Sequence, residues 1–294
     1  MRCVPFDMRI AFFGTPSFAV PSLEGLVRSK HEVVCVVCQP DRAVGRGGKI
    51  EFSPVKQFGL THGIPLLQPE KISDEVGLLD EFKPDIIVTC AFGQILKQNV
   101  LDCCKHGVIN VHASLLPKFR GSSPIQWAII KGETKTGVTI MQTDIGLDTG
   151  DMILTRETEI GKDETAGELF ERLSVFGAEA LLEALDLIEK GVAVKIPQDH
   201  TKASQFPMLS KERAKIDFGM SAEEIRNFVR GMNPWPVAWF EHGGEVVRVF
   251  RASVGKGDFC LPCKGGFVNF EVIQMAGGKV LPARDYINGR KIRI

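Results

Sequence analysis

No stretch of the 294-residue chain is apolar over the roughly 20 residues that a membrane-crossing helix needs. The opening MRCVPFD lacks the apolar core of a secretory signal. Met8 stands directly before a strand-like run, so it is expected near the functional start, with the first seven residues a disordered extension. The eight cysteines do not form the dense, regular framework of a secreted disulfide-rich protein: Cys35 and Cys38 lie inside one apolar run, and Cys103 and Cys104 are adjacent. Reduced thiols and a cytoplasmic location are expected. No G-x-G-x-x-G follows the first strand, which ends Gly14-Thr15-Pro16, and this disfavours a dinucleotide cofactor. Cys35 and Cys38 fall in a strand, where positions three apart face opposite sides. Cys260-x-x-Cys263, expected near a turn, is half a zinc knuckle that no second Cys or His pair completes. No metal is therefore expected. Internal repeats and low-complexity tracts are absent too.

What is present is a globular composition, 44% hydrophobic and 24% charged, enough for a sizeable core. Formal net charge is zero but unevenly spread. Residues 201–294 carry 15 Lys+Arg against 9 Asp+Glu, a net of +6, which leaves −6 on residues 1–200. A basic C-terminal third suits an anionic partner, although chance scatter accounts for it equally.

Strand and helix signals alternate along the first 190 residues. Arg9–Gly14, His31–Gln39, Asp85–Cys90 and Val108–Val111 read as buried strands, with helical spacing over Phe18–Lys30 and Glu164–Lys190. Such alternation predicts a Rossmann-like, mostly parallel α/β sheet with helices on both faces. Residues 191–207 are polar and Pro-flanked, as a linker would be. From 208 to 294 the pattern predicts one short helix, Ser221–Arg230, opened by a Ser/Glu capping box, followed by short alternating strands. An OB-type β-barrel fits that second domain and would suit a nucleic acid. Trp235 and Trp239, at a Pro-rich corner, are expected in its core.

The sharpest local feature is Val108–Pro117 (VINVHASLLP). Asn110 and His112 lie two apart on a strand, so both point to one face. They leave the end of a parallel strand, where open α/β sheets hold ligands. Asn supplies an uncharged donor, and His donates or accepts with its protonation state. Together they suit polarising a carbonyl and managing a proton; a hydrogen-bonded pair closing a loop fits the residues as well. Asp144–Asp151 (DIGLDTGD) is an acidic, Gly-rich turn after a further strand. Its Asp148 is placed to orient a His or accept a proton, but Asp and Gly are also ordinary turn formers.

Asn110-x-His112, Ser114–Pro117 (SLLP), Arg120-Gly121-Ser-Ser-Pro124 and Gly146–Asp151 (GLDTGD) resemble the signature of the folate-dependent formyltransferases. Gly14–Leu23 (GTPSFAVPSL), Gln39–Lys49 (QPDRAVGRGGK) and Ala283–Arg290 (ARDYINGR) resemble the branch of that family that acts on methionyl-tRNA. The resemblance spans nearly the whole chain from Met8. It implies a Rossmann-like catalytic domain over 1–190 and an OB-type tRNA-binding barrel over 208–294. It implies that the formyl group of 10-formyltetrahydrofolate passes to the α-amino group of methionine on charged initiator tRNA, in translation initiation. By the same resemblance, Asn110 and His112 stabilise the oxyanion, while Asp148 holds His112 and relays a proton. Phe92, Gly93, Ser114, Leu115, Leu116 and Pro117 line the folate, with Leu116–Pro117 cis. Arg42, Arg46 and Lys49, on a basic loop that would otherwise read as solvated, meet the acceptor stem. Two alternatives stand beside this: a folate-dependent formyltransferase acting on a ribonucleotide amine or amino sugar, and a non-catalytic tRNA-binding protein.

Overall fold

The computed structural model describes residues 8–44 and 49–289, so the expectations for residues 1–7 and for Arg46 lie outside it. Two compact units emerge. The first comprises residues 8–120, 137–157 and 171–204; the second comprises 121–136, 158–170 and 205–289. Residues 191–204, most of the stretch expected to be a linker, thus belong to the first unit.

In chain order the first unit begins with β1 (Arg9–Gly14), α1 (Val20–Arg28), β2 (Glu32–Val37), the short strands β3 (Arg42–Val44) and β4 (Lys49–Glu51), α2 (Pro54–Thr61) and β5 (Leu66–Leu67). It continues with β6 (Ile86–Cys90), α3 (Gln98–Leu101) and β7 (Val108–His112). After α4 (Pro124–Ile130), which belongs to the second unit, come β8 (Lys135–Gln142), β9 (Met152–Glu159) and the long α5 (Ala166–Glu189). The sheet runs β5-β2-β1-β6-β7-β8-β9. Pairing is parallel from β5 through β7 and antiparallel between β7 and β8. β1 and β6 are central, and Ile10, Phe12, Phe13, Ile86, Ile87 and Val88 are fully buried. That is why these strands read as continuous apolar runs rather than alternating ones. On α5, Leu173, Ala180, Leu181, Ala184 and Leu185 form one fully buried face at helical spacing. Gly177 on that face comes close to Val111 and Val138, so the helix lies directly on β7 and β8.

The second unit holds α6 (Ala222–Gly231) and the antiparallel strands β10 (Ala238–His242), β11 (Glu245–Val254), β12 (Cys260–Cys263), β13 (Gly266–Met275) and β14 (Leu281–Pro282), then α7 (Ala283–Asn288). Their order is β10-β11-β13-β12, with β14 on β13, and register shifts near Val249–Ala252 bend the sheet into an OB-type half-barrel. Phe240, Phe259 and Phe270 fill it, with Phe240 and Phe270 stacked at 4.7 Å, and Ile225 and Val229 of α6 cap it. The expected capping box forms: Ser221 accepts from Glu224 N–H, and Glu224 accepts from Ser221 N–H at 2.8 Å. These bonds hold the Glu224 carboxyl below its ordinary range.

One expectation fails here. Trp235 is 53% exposed, because Pro236 takes the buried position at that corner; Trp239 packs against the core and donates Nε1–H to the Lys211 carbonyl. Cys260 and Cys263 are the two ends of β12, with Cys263 beside the hairpin turn to β13 as expected, and the strand period turns the two to opposite faces. Among the described residues no helix is long and apolar enough to cross a membrane, and no cluster of three His, Cys, Asp or Glu is placed to hold a metal.

Candidate active site

Strand register builds the site. In the parallel β6–β7 pair Asn110 stands opposite Thr89, and the buried Thr89 hydroxyl lies 2.9 Å from Asn110 Oδ1. A hydroxyl that donates to the amide oxygen turns the amide NH₂ the other way. Asn110 is half-buried. Thr89 is a residue that sequence reasoning missed, since its role exists only through the pairing. Thr89→Val keeps the shape and removes the hydroxyl. We expect it to lower turnover about three- to tenfold, the scale of one net hydrogen bond, in a steady-state assay; unchanged turnover would show that Asn110 is oriented by other means.

His112 is buried at the end of β7. Its Nε2 lies 2.9 Å from the Phe119 carbonyl oxygen. A carbonyl only accepts, so Nε2 carries hydrogen and the ring exchanges protons at Nδ1 alone. Phe119 holds that carbonyl in place from a left-handed backbone, φ +58°, costly for a bulky residue. Its N–H is anchored on Ser204 Oγ at 2.9 Å. His112 Nδ1 faces Asp148 Oδ2 at 3.6 Å, ion-pair rather than hydrogen-bond range. Spacing of this kind is common at sites that tighten around substrate.

Asp148 reaches His112 only by a return of the chain. β8 runs antiparallel to β7 and ends with Gln142 opposite Ile109, while Thr139 is opposite His112. Residues 143–151 must therefore climb back about 10 Å, three strand positions. Gly150 makes this possible, since a Cβ there would run into the Gln142 carbonyl. Thr149 Oγ1 donates to the Asp144 carboxylate at 2.7 Å, bracing the loop internally. Asp148 itself sits at φ +51°, a conformation Asp tolerates better than most residues.

The residues expected to line the folate differ in exposure. Leu116–Pro117 is cis. Ser114 is fully buried and bonds the Lys118 carbonyl, and Leu116 is buried, with its N–H on the buried Thr139 hydroxyl. Leu115 and Pro117 are half-buried. Phe92 is buried against Phe13 at 5.1 Å, and Gly93 is exposed at φ +84°. Unexpected from sequence are Ile95, Ile145 and Leu147, which stand 85%, 72% and 51% exposed on the loops before α3 and after β8. A cavity of about 660 Å³ lies at the start of β7, the end away from His112, lined by Leu101, His106, Gly107, Thr143 and Ile145 among others. None of Asn110, His112 and Asp148 lines it.

Arg42 and Lys49 fall on an antiparallel hairpin, β3 with β4, where Arg42 stands opposite Glu51 and Val44 opposite Lys49. Arg42 is exposed. At the base of the hairpin the buried Lys56 pairs with Asp41 and bonds Gln68 at 2.7 Å. Lys56 and Gln68 together hold the Asp41 carboxyl below its ordinary range. Burial pushes the thiols of Cys35 and Cys90 up to about 12, so neither is a ready nucleophile at neutral pH.

Comparison with known proteins adds a lineage to this geometry. Residues 8–185 match the formyl transferase family and residues 208–291 match the formyl transferase C-terminal domain. The chain is 45% identical over 302 residues to the methionyl-tRNA formyltransferase of Alkaliphilus oremlandii, covering 97% of each. Among solved structures, the fold resembles a methionyl-tRNA formyltransferase from Clostridium thermocellum (TM-score 0.60, 19% identity, 91% of this chain and 98% of that one). It also resembles HypX from Aquifex aeolicus in complex with tetrahydrofolic acid (TM-score 0.66, 21% identity, 95% of this chain), of which the chain spans about half, 47%.

Proposed function

Because the chain belongs to the formyl transferase family, we propose that it transfers the formyl group of 10-formyltetrahydrofolate to the α-amino group of methionyl initiator tRNA, producing N-formylmethionyl-tRNA for translation initiation. The observation that carries this reading is the near-full-length similarity to a relative of that name, with both formyl transferase domains in order. The catalytic domain is read as residues 1–190 with residues 191–204 packed into the same unit, and the tRNA-binding barrel as 208–294, acting in the cytoplasm.

The residues divide the work. Asn110 presents its NH₂ to the oxygen that gains charge as the amine adds to the formyl carbon. His112, with Nε2 committed to Phe119, holds or yields a proton at Nδ1, which the Asp148 carboxylate faces. An aminoacyl amine with a pKa near ~8 is partly neutral at physiological pH and able to attack. The folate donor, when bound, supplies the formyl group: as the amine nitrogen bonds the formyl carbon and loses a proton, the carbon–N10 bond breaks and N10 takes up a proton, leaving tetrahydrofolate. Ile95, Ile145 and Leu147 offer exposed apolar faces of the kind that a flat heterocycle needs. Gly93, Leu115 and Pro117 contribute through exposed or half-exposed surface, whereas the buried Phe92, Ser114 and Leu116 shape the wall from behind.

The direct test is formyl transfer from 10-formyltetrahydrofolate to charged initiator tRNA, with an amino sugar and a ribonucleotide amine as controls. Transfer to the tRNA alone supports the reading. Transfer only to a small amine, or tight tRNA binding without turnover, sinks it. Arg42, Arg46 and Lys49 are assigned to acceptor-stem phosphates. Arg42→Ala should raise the KM for tRNA several-fold, leave the KM for folate unchanged, and flatten the salt dependence of tRNA binding by about one unit of log–log slope. Equal salt slopes in both proteins would remove Arg42 from the interface.

A further inference from the structure

The loop that carries Asp148 has a clamp outside it. Gln198, 5% exposed, donates from Nε2 to two carbonyls of that loop, Asp148 O at 2.9 Å and Gly150 O at 2.7 Å. Its Oε1 accepts twice from Arg120, from Nε at 3.1 Å and from Nη2 at 2.7 Å. This amide thereby makes the four hydrogen bonds available to it, two as donor and two as acceptor. It has one possible orientation, because a guanidinium cannot accept and a carbonyl cannot donate. Arg120 is itself buried at 8%; its Nη2 also meets His200 Nδ1 at 3.0 Å, and its N–H bonds the Ser204 carbonyl.

We propose that Gln198, locked by Arg120, is the positioning residue that holds the Asp148 carboxylate over His112 for the formyl transfer proposed above. The loop needs such a device. Its own geometry takes it back along β8 against the strand ending, and Asp148 adopts a left-handed backbone there. Conformations of that kind persist where surrounding contacts over-determine them. Gln198 supplies two of those contacts at the residue in question and the one two further on. Arg120 supplies more than shape: its buried charge polarises the amide, strengthening both N–H bonds to the loop. The same segment serves His112 from the other side, since Ser204 anchors Phe119, whose carbonyl fixes Nε2. Residues 198–204 thus set both partners of the His112–Asp148 pair.

The test compares Gln198→Glu and Gln198→Ala with the unaltered protein, alone and combined with Asp148→Asn. Glu has nearly the shape of Gln and keeps a partner for Arg120, but its carboxylate cannot donate to the loop carbonyls. Each single variant is expected to lower kcat about tenfold or more with the KM for folate and for tRNA within about twofold. Amide hydrogen exchange over residues 143–151 should accelerate, while exchange in β1 and β6 stays unchanged. In the Asp148→Asn background the Gln198 substitutions should cost less than twofold further, since their effect passes through Asp148. Wild-type kcat and wild-type loop exchange in Gln198→Glu would overturn the proposal. So would an equal loss in both Asp148 backgrounds, which marks a general structural role. If the unaltered protein transfers no formyl group, the functional reading fails, and the hydrogen-exchange comparison still decides whether Gln198 holds the loop.

Discussion

Asn110→Ala is expected to lower turnover by about 10²–10³-fold while leaving the fold intact. The loss is that of one preorganised oxyanion donor, about 3–4 kcal/mol of transition-state stabilisation. The amide is oriented before substrate arrives, by Thr89 across the β6–β7 register, so it has little reorganisation to undergo during reaction. The side chain is half-buried and its truncation opens no core cavity, so the melting midpoint should move little. Single-turnover kinetics with saturating folate and tRNA measure the chemical step directly. Turnover within threefold of the unaltered protein would mean that another group receives the developing charge. Asn110→Asp keeps the shape and places a carboxylate where charge must build, so it should be at least as damaging.

Asp148→Asn should cost about 10²–10⁴-fold in turnover, the scale seen when a carboxylate that supports a catalytic imidazole becomes an amide. With His112 Nε2 committed to a carbonyl, the only site for a second proton is Nδ1, and Asp148 is the carboxylate that faces it. An amide provides no charge to stabilise that proton. If its NH₂ turns toward Nδ1, it favours the neutral ring. Loop position should survive, since Gln198 bonds the backbone of Asp148 rather than its side chain and Gly150 still packs on Gln142. Turnover and thermal melting, measured together, separate the two effects: a large rate loss with an unchanged midpoint supports the assignment, and a near-normal rate at neutral pH removes Asp148 from proton management.

Much of this architecture was legible along the chain. The apolar runs of β1, β2, β6 and β7 announce buried parallel strands, because burial on both faces removes alternation. The Ser221–Glu224 capping box marks the start of α6 to the residue, because capping is a local matter of backbone and side chain within one turn. Asn110 and His112 fall on one face because a strand has a period of two. Trp235 misled because its Pro-rich setting suggests a core, while at that corner Pro236 takes the buried position and Trp235 turns outward. Ile95, Ile145 and Leu147 went unnoticed because a single apolar residue in a loop is unremarkable until its exposure is seen.

The sequence by itself determined the α/β class of the first part, the strand-rich second part, the strand that carries Asn110 and His112, and the resemblance that supplies a reaction. Those depend on local periodicity and on short contiguous motifs. Only the tertiary structure decided which residues stand against them. Thr89 meets Asn110 through a strand register, and the Phe119 carbonyl is a backbone group whose side chain is silent about its role. Asp148 is brought up to His112 by a loop that doubles back on β8, and Gln198 closes on that loop from 50 residues farther along. Contacts of this kind are fixed by packing between distant segments, and no pattern along the chain encodes them.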